Sequence, residues 1–397
     1  LNAKKSHPIH GAIMTATPPD TSVPGPPADL KPLTALRFMA AAWVVLYTFW
    51  PNLDVGFTPH LAAKGYLGVE LFFVLSGFIL SHVYLQAVGE KRYRYGGFLW
   101  ARIARVYPLH LATLVGVGAL GVAAVAAGMS IDGNILSWET LPANLLMIHA
   151  WGVTNAAGWN HPSWSISAEW FAYLTFPVFA FVAWRLRSRP VSAAVGAGAL
   201  LCATYLVFER VAGFSLTQAT FHWGALRIVP CFAYGCALYL VHRSGGVRHG
   251  GLVAAGAALG MIASASLMAW DGITVLFGGL MILGLGSVAN ARAGVMASGP
   301  AVYLGEVSYA LYMVCAPWQL LAVNLAAKAT GAADKALPLW AWAAVIAGLP
   351  VAAMVAHHLV ERPARTWLRR LADRRAGAAN SRTNSPERVL QPGETIV

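Results

Sequence analysis

Polar side chains capable of chemistry lie inside segments that are otherwise apolar. The first segment runs from Leu33 to Trp50 (LTALRFMAAAWVVLYTFW), with Arg37 near its start and Thr48 eleven positions later. On a helix this separation is about 16 Å, roughly half the hydrocarbon thickness of a bilayer. A helix at this position would hold a cation near one membrane face and a small hydroxyl near the middle.

The second apolar segment, GYLGVELFFVLSGFILSHVYL, contains Glu70 and Ser76. Its glycines are typical of close helix packing in a membrane. Glu70 is different, because an ionisable side chain inside a span is costly and defaults to a functional role or an ion pair. We therefore treat Glu70 as a candidate site residue.

Two arginines, Arg102 and Arg105, are three positions apart and share one face of a helix. Two guanidiniums on one face suit a polyanion such as the phosphates of coenzyme A. The alternative is that both are cytoplasmic cations that flank a span and need no ligand. Taken alone, the second explanation is the stronger one.

The segment WNHPSWSISAEWFAYLTFP gathers His161, Ser165 and Glu169, with Trp164 among them. An interfacial tryptophan belt explains the aromatic residues, but it does not explain an ionisable Glu169 on an apolar helix. We expect Arg227, early in a later span, to be the cationic partner of Glu169, because the two residues lie at similar depth.

Two further segments carry polar groups. Tyr309 and Tyr312 lie on neighbouring turns of YLGEVSYALYMVCAPWQL. Glu361 and Arg362 stand beside Pro363 in HHLVERPARTWLRR, where an ion pair at the inner membrane face is the simplest explanation.

Long apolar helices are needed to position these residues. The chain is 57% hydrophobic and 11% charged, about half the charged fraction of a soluble protein. Its apolar blocks are long enough to span a bilayer, so we predict an all-α polytopic membrane protein. Ten spans are predicted, at approximately 34–50, 66–88, 103–128, 164–184, 191–210, 223–242, 251–270, 273–290, 301–327 and 338–360.

The charged residues set the orientation. With the N-terminus in the cytoplasm, the loops rich in Lys and Arg face inward, and this alternation holds only for an even number of spans. Both termini are therefore predicted to be cytoplasmic. We divide the chain into a disordered tail (1–32), a membrane domain (33–370) and a disordered basic tail (371–397).

Net charge and cysteine usage limit the partners. A formal charge of +12 would suit nucleic acid, but the cations lie in short loops and tails, so no nucleic-acid partner is expected. The four cysteines form neither a metal pattern nor a disulfide framework, and no metal site is predicted.

Together, these segments resemble the acyltransferase 3 family, whose bacterial members O-acetylate cell-surface glycans, antibiotics and other acceptors. The resemblance covers about residues 30 to 370 and rests on six blocks in the expected order. They are Leu36-Arg37, Gly68 to Phe78 (GVELFFVLSGF), Arg102 and Arg105 before Tyr107-Pro108, Ser163 to Glu169 (SWSISAE), Gly305 with Ser308-Tyr309 and Leu311-Tyr312, and Val360-Glu361-Arg362-Pro363.

The resemblance implies an O-acyltransferase of the bacterial inner membrane, surrounded by membrane lipid, that takes acyl-CoA from the cytoplasmic side. The donor is expected to be acetyl-CoA, and the acceptor a hydroxyl of a glycan, glycolipid or other lipid-linked molecule. The catalytic candidates are Arg37, Ser76, Glu169 and position Thr48. The expected coenzyme-binding residues are Arg37, Arg102, Arg105, Tyr309, Tyr312 and Glu361, and the expected acceptor-binding residues are Glu70, His161, Trp164 and Ser165.

The chain departs from the family pattern at Thr48, where the family has a histidine taken to act as a general base. A threonine hydroxyl cannot act as a base at neutral pH. Cys315 is a second departure, because relatives often carry histidine there. Three explanations are open: an engineered inactive variant, which we favour; a member whose base has moved to His161 or His149; or a member that binds without catalysis.

Two other classes of function are also open. A glycan or lipid transporter would use intramembrane Glu and Arg residues too, but it often shows repeat symmetry, and no internal repeat is evident. A pseudoenzyme would bind coenzyme A without acyl transfer.

Overall fold

The computed structural model describes residues 29–383 apart from 129–132, 134, 155–157 and 333, and gives only the backbone at 373 and 375–383. Most of the tail predicted at 1–32 lies outside these residues, as do residues 384–397 of the predicted C-terminal tail. The last described helix continues to Thr383, past the domain boundary predicted at 370.

Within the described ranges, eleven helices of at least 16 residues build the fold. They are α1 (Lys31–Phe49), α2 (Gly68–Gly89), α3 (Tyr95–Ala126), α4 (Trp164–Leu186), α5 (Pro190–Ala212), α6 (Gly224–Arg243), α7 (Gly250–Ser266), α8 (Asp271–Gly286), α9 (Gly299–Trp318), α10 (Leu339–Ala356) and α11 (Arg362–Thr383). A π-helical turn and a short helix extend α9 to Thr330, and a second π-helical turn joins α10 to α11.

Eight helical stretches in the described residues are long and apolar enough to cross a membrane. The predicted all-α polytopic membrane fold is therefore confirmed. The other two apolar helices, α7 with 17 residues and α8 with 16, correspond to the predicted spans at 251–270 and 273–290. Each is about 24–26 Å long, short of a typical hydrocarbon core of about 30 Å, and the two pack against each other. The number ten stays a prediction.

The successive long helices alternate in direction. We call the two ends of the bundle the Lys31 end, where α1, α3 and α9 begin, and the Phe49 end, where α4 and α6 begin. The Asp271 start of α8 contacts the connection between α1 and α2, in agreement with this arrangement.

Glycines allow two close helix crossings at the centre of the bundle. A Cβ atom on Gly77 of α2 would overlap the carbonyl oxygen of Phe232, and one on Gly235 of α6 would overlap that of Val74. Likewise, a Cβ atom on Gly305 of α9 would overlap the backbone of α1. These backbone contacts bring the polar residues of α1, α2, α6 and α9 within reach of one another.

Candidate active site

The first cavity, which we call the arginine cavity, lies among α1, α2, α3, α4 and α9 and has a volume of about 90 Å³. Its polar lining includes eight of the residues singled out by the sequence. They are Arg37, Ser76, Arg102, Arg105, Ser165, Glu169, Tyr309 and Tyr312. Arg37 and the two α3 arginines lie within about the first three turns of helices that begin at the Lys31 end, so cations are concentrated on that side.

The arginine cavity carries more positive than negative charge. Arg37 interacts electrostatically with Arg105 and with two carboxylates, those of Glu169 and Glu361. The Arg102 guanidinium lies 5.9 Å from each of three aromatic ring centroids, and its Nε is buried without a hydrogen-bond partner among the described residues. Because a buried unpartnered donor is costly, this arrangement suits an anionic ligand.

Hydrogen bonds fix the carboxylate and hydroxyl groups of this cavity. Ser76 Oγ donates to Glu169 Oε1 at 2.7 Å, joining α2 to α4. Tyr309 donates to the Val106 carbonyl at 2.6 Å, joining α9 to α3. Tyr312 receives a bond from Ser165 Oγ at 2.9 Å, joining α9 to α4. Each polar side chain is thereby held by a second helix.

The expected pairing of Glu169 with Arg227 is wrong. Arg227 instead forms a two-pronged ion pair with Glu70, with Nε–Oε1 and Nη2–Oε2 distances of 2.5 and 3.0 Å. The reason lies in the packing of α2 against α6, which sets Glu70 directly beside Arg227. Depth along a helix does not specify which neighbouring helix a side chain faces.

Each nitrogen of the Arg227 guanidinium has a hydrogen-bond partner. Its Nη1 donates to the Ala219 carbonyl at 2.7 Å, and its guanidinium carbon lies 4.5 Å from the ring centroid of Trp164. Glu70, expected to bind the acceptor, has no exposed surface and lines neither cavity described for this chain. Its contact is therefore with the Arg227 guanidinium and not with a ligand in either cavity.

The second cavity, which we call the threonine cavity, lies toward the Phe49 end and has a volume of about 380 Å³. Its lining combines hydroxyl, amide and aromatic groups. They include Tyr47, Thr48, Tyr66, His161, Trp164, Thr217, Gln218, Thr220, Arg227, Tyr312 and Cys315. Val69 and Tyr312 line both cavities, so the two cavities adjoin at these side chains.

Thr48 and Cys315, the two positions expected to depart from the family pattern, both line this cavity. Thr48 Oγ1 donates to the Val44 carbonyl at 2.9 Å. The proton of the Thr48 hydroxyl is therefore used in a hydrogen bond within α1. Neither the Val44 carbonyl nor the Cys315 thiol is a base that would activate this hydroxyl.

Of the two histidines considered as a relocated base, His161 lines the threonine cavity and His149 lines neither cavity. His161 is exposed and stands edge-on to the Phe221 ring at 5.4 Å. His149 is buried, lies 3.1 Å from Ser163 Oγ and stacks on His110. Burial, with a smaller contribution from the charge on His110, lowers the pKa of His149 to about 3, so this imidazole is neutral.

Glu361 also lies outside both linings. It is buried in the π-helical turn between α10 and α11, where its Oε2 lies 2.9 Å from His357 Nδ1. The expected partner Arg362 is exposed instead. Within the described ranges, no three His, Cys, Asp or Glu side chains are grouped as a metal site.

A further polar cluster, centred on Asp271, was not found by the sequence reasoning. The Asp271 carboxylate is buried and accepts hydrogen bonds from Lys64, from Tyr66 at 2.9 Å and from Thr217. Tyr66 and Thr217 line the threonine cavity, so Asp271 fixes the positions of two of its lining side chains. An acidic residue at the start of an apolar segment was the signal that could have revealed it.

Comparisons with known proteins point to one class of enzyme. The chain is 28% identical over 311 residues to acyltransferase MdmB of Streptomyces mycarofaciens, covering 72% of this chain and 78% of that protein. It is 28% identical over 324 residues to the exopolysaccharide production protein ExoZ of Rhizobium meliloti, covering 77% and 91%. A shorter match of 67 residues, 42% identical, relates it to protein 2 in the picA locus of Rhizobium radiobacter, covering 17% and 35%. No solved structure matches the chain.

The family model for the acyltransferase 3 domain matches residues 31–357, from the first residue of α1 into the turn that follows α10. This match includes every helix that lines the two cavities. The chain is therefore a membrane acyltransferase and belongs to the acyltransferase 3 family.

Proposed function

We propose that this chain transfers an acyl group, normally acetyl, from acyl-CoA in the arginine cavity to a hydroxyl in the threonine cavity. The observation that carries the proposal is that Val69 and Tyr312 line both cavities, so the acyl group of the donor and the hydroxyl of the acceptor would come into contact beside these two side chains. In this proposal the bundle has ten spans in a bacterial inner membrane, with the Lys31 end and both termini in the cytoplasm.

The charge of the arginine cavity supports acyl-CoA as the donor. Arg37, Arg102 and Arg105 supply three guanidiniums, and Arg102 Nε, which has no partner in the described part of the chain, gives a donor for a phosphate oxygen. The volume of about 90 Å³ suits a thin chain bearing a thioester. It is well below the roughly 300 Å³ at which drug-sized ligand pockets begin.

The lining of the threonine cavity supports a carbohydrate acceptor, free or lipid-linked. Aromatic side chains of Tyr47 and Tyr66 suit the apolar faces of a sugar ring, and Gln218 and Thr220 offer hydrogen bonds to its hydroxyls. One relative, ExoZ, is named as an exopolysaccharide production protein, which agrees with this class of acceptor.

We assign the general base to His161, because it is exposed in the threonine cavity and Thr48 cannot accept a proton at neutral pH. The acceptor oxygen attacks the thioester carbonyl and loses its proton to the imidazole. The carbon–sulfur bond breaks, and coenzyme A leaves with a proton as a thiol. Glu169 and Ser76 orient the donor side through their mutual hydrogen bond.

A second candidate is a family member that binds coenzyme A without transfer. The observation that favours it is the Thr48 hydroxyl, which donates to the Val44 carbonyl and, among the described residues, has no hydrogen bond to a histidine or carboxylate. Family membership favours acyl transfer over the transporter alternative.

Affinity for acetyl-CoA tests the donor assignment. Arg105→Gln removes a cation that lines the arginine cavity, and we expect the Kd to rise about tenfold, as for the loss of one charge-assisted hydrogen bond. Arg189→Gln removes an exposed cation between α4 and α5 and is the matched control. If Arg105→Gln and Arg189→Gln bind acetyl-CoA with equal affinity, the arginine cavity is not the donor site.

A further inference from the structure

Helix α11 brings additional arginines to the Lys31 end of the bundle. Its residues, Arg362–Thr383, lie beyond the segment that the family model matches. Trp100 Nε1 of α3 donates to the Leu368 carbonyl at 2.9 Å, and this bond docks α11 against α3. Arg102 and Arg105 follow Trp100 on α3, so the docked helix lies beside the arginine cavity.

Arg365 is the α11 residue most closely linked to this cavity. Its side chain is partly buried and interacts electrostatically with Arg105, Arg102 and Arg369. Arg369 is four positions later and therefore lies on the same face of α11. Four guanidiniums are thus assembled from two helices.

Two carboxylates, those of Glu361 and Glu169, lie near this cluster of four guanidiniums. Glu361 is the acidic group that interacts with Arg365, and its Oε2 is already engaged with His357. Arg102 Nε is buried without a partner among the described residues. Like charges held together with an unpartnered buried donor favour binding of a polyanion.

The size of the arginine cavity indicates which anion would lie at the cluster. A volume of about 90 Å³ has room for an acyl group and part of a pantetheine arm, but not for a nucleotide as well. If acyl-CoA is the donor, as proposed above, its phosphorylated nucleotide must lie outside that cavity.

We propose that Arg365 and Arg369 of α11, with Arg102 of α3, form a phosphate site for the nucleotide end of acyl-CoA. The terminal helix would then complete the donor site and recognise the portion of the coenzyme that the acyl pocket cannot contain. The inference rests on the proposed function, because it takes acyl-CoA as the ligand.

Binding measurements with three probes test the site: coenzyme A, 3′-dephospho-coenzyme A and pantetheine. The wild type and Arg365→Gln are compared by calorimetry in nanodiscs of a neutral lipid. We expect Arg365→Gln to weaken coenzyme A binding about tenfold and to leave pantetheine affinity unchanged. A smaller loss with 3′-dephospho-coenzyme A would assign Arg365 to the 3′-phosphate, and an equal loss would assign it to the diphosphate.

Arg370→Gln is the matched control, because it removes the same charge from an exposed position on α11. If Arg365→Gln binds coenzyme A as tightly as Arg370→Gln does, the inference is overturned. The inference is also overturned if Arg365→Gln loses affinity for pantetheine as well as for coenzyme A, because that result would mean that Arg365 has a structural role. If Arg365→Gln does not fold, Arg365→Lys replaces it, with a smaller loss expected for coenzyme A and none for pantetheine.

A lipid headgroup is the other source of phosphate. If the cluster binds lipid instead, nanodiscs of phosphatidylglycerol will raise the unfolding midpoint of the wild type but not of Arg365→Gln. Coenzyme A affinity will then be the same in both proteins, and the inference fails. Wild type that binds neither coenzyme A nor pantetheine would instead refute the proposed function itself.

Discussion

The Glu70→Gln substitution would leave the Arg227 guanidinium buried without a counter-charge. Arg227 is 2% exposed and Glu70 is 0% exposed, so water cannot replace the lost carboxylate without opening the helix packing. Breaking a buried ion pair by removing one partner costs about 3–5 kcal/mol. The glutamine keeps the volume of the side chain, so this cost is electrostatic.

The unfolding midpoint in nanodiscs measures this loss, and we expect it to fall by several degrees. Glu90→Gln removes an exposed carboxylate of similar size at the end of α2 and should leave the midpoint unchanged. The double variant Glu70→Leu/Arg227→Met removes both charges and should recover most of the stability, because an apolar pair can replace a buried ion pair. A single variant as stable as the control, or a double variant no better than the single one, would refute the reasoning.

Three further predictions follow from the polar clusters. Asp271→Asn should raise the KM for the acceptor several-fold with little change in acetyl-CoA affinity. The reason is that Asp271 holds Tyr66 and Thr217 in the threonine cavity. Equal changes in the acceptor KM and in the acetyl-CoA affinity would contradict this role. Ser76→Ala should lower kcat while the protein stays folded, because it frees the Glu169 carboxylate; unchanged kcat would exclude the hydrogen bond from catalysis. His149 has its pKa lowered from 6.5 to about 3, so the unfolded chain binds more protons between these values and stability falls as the pH drops below 6.5. His149→Gln should reduce that slope by up to about 1.4 kcal/mol per pH unit, and unfolding midpoints that change identically with pH in both proteins would disprove it.

The sequence was sufficient to find most of the polar residues around the arginine cavity. An ionisable or hydroxyl side chain inside an apolar segment is conspicuous, because lipid cannot satisfy it. Arg37, Ser76 and Glu169 were recognisable in this way, and the helical bundle that holds them follows from the apolar blocks alone.

The pairing of these residues was not available from the sequence. Depth along a span is readable, but the neighbouring helix depends on packing. The helix crossing at Gly77 and Gly235 packs α2 against α6. As a result, the ion-pair partner of Arg227 is Glu70 and not Glu169. Thr48 and Cys315 likewise line one cavity although they belong to α1 and α9, two helices far apart in the chain.

Short elements were also difficult to interpret. The Asp271 cluster draws on the α1–α2 connection, the α5–α6 connection and α8, so none of its members has a partner nearby in the sequence. The docking of α11 against α3 includes a tryptophan hydrogen bond to a backbone carbonyl, which no periodicity predicts.

Transfer of labelled acetyl groups to alkyl glycosides, measured in nanodiscs, tests the central claim most directly. The glycosides provide sugar hydroxyls on an apolar tail, and the proteins compared are the wild type, His161→Gln and Thr48→His. We predict that the wild type transfers acetyl groups from acetyl-CoA and that His161→Gln loses at least 100-fold in kcat, as expected for the loss of a general base (about 10²–10⁴-fold). No transfer by the wild type together with clear transfer by Thr48→His would contradict the account, because the chain would then be an acyltransferase lacking its base.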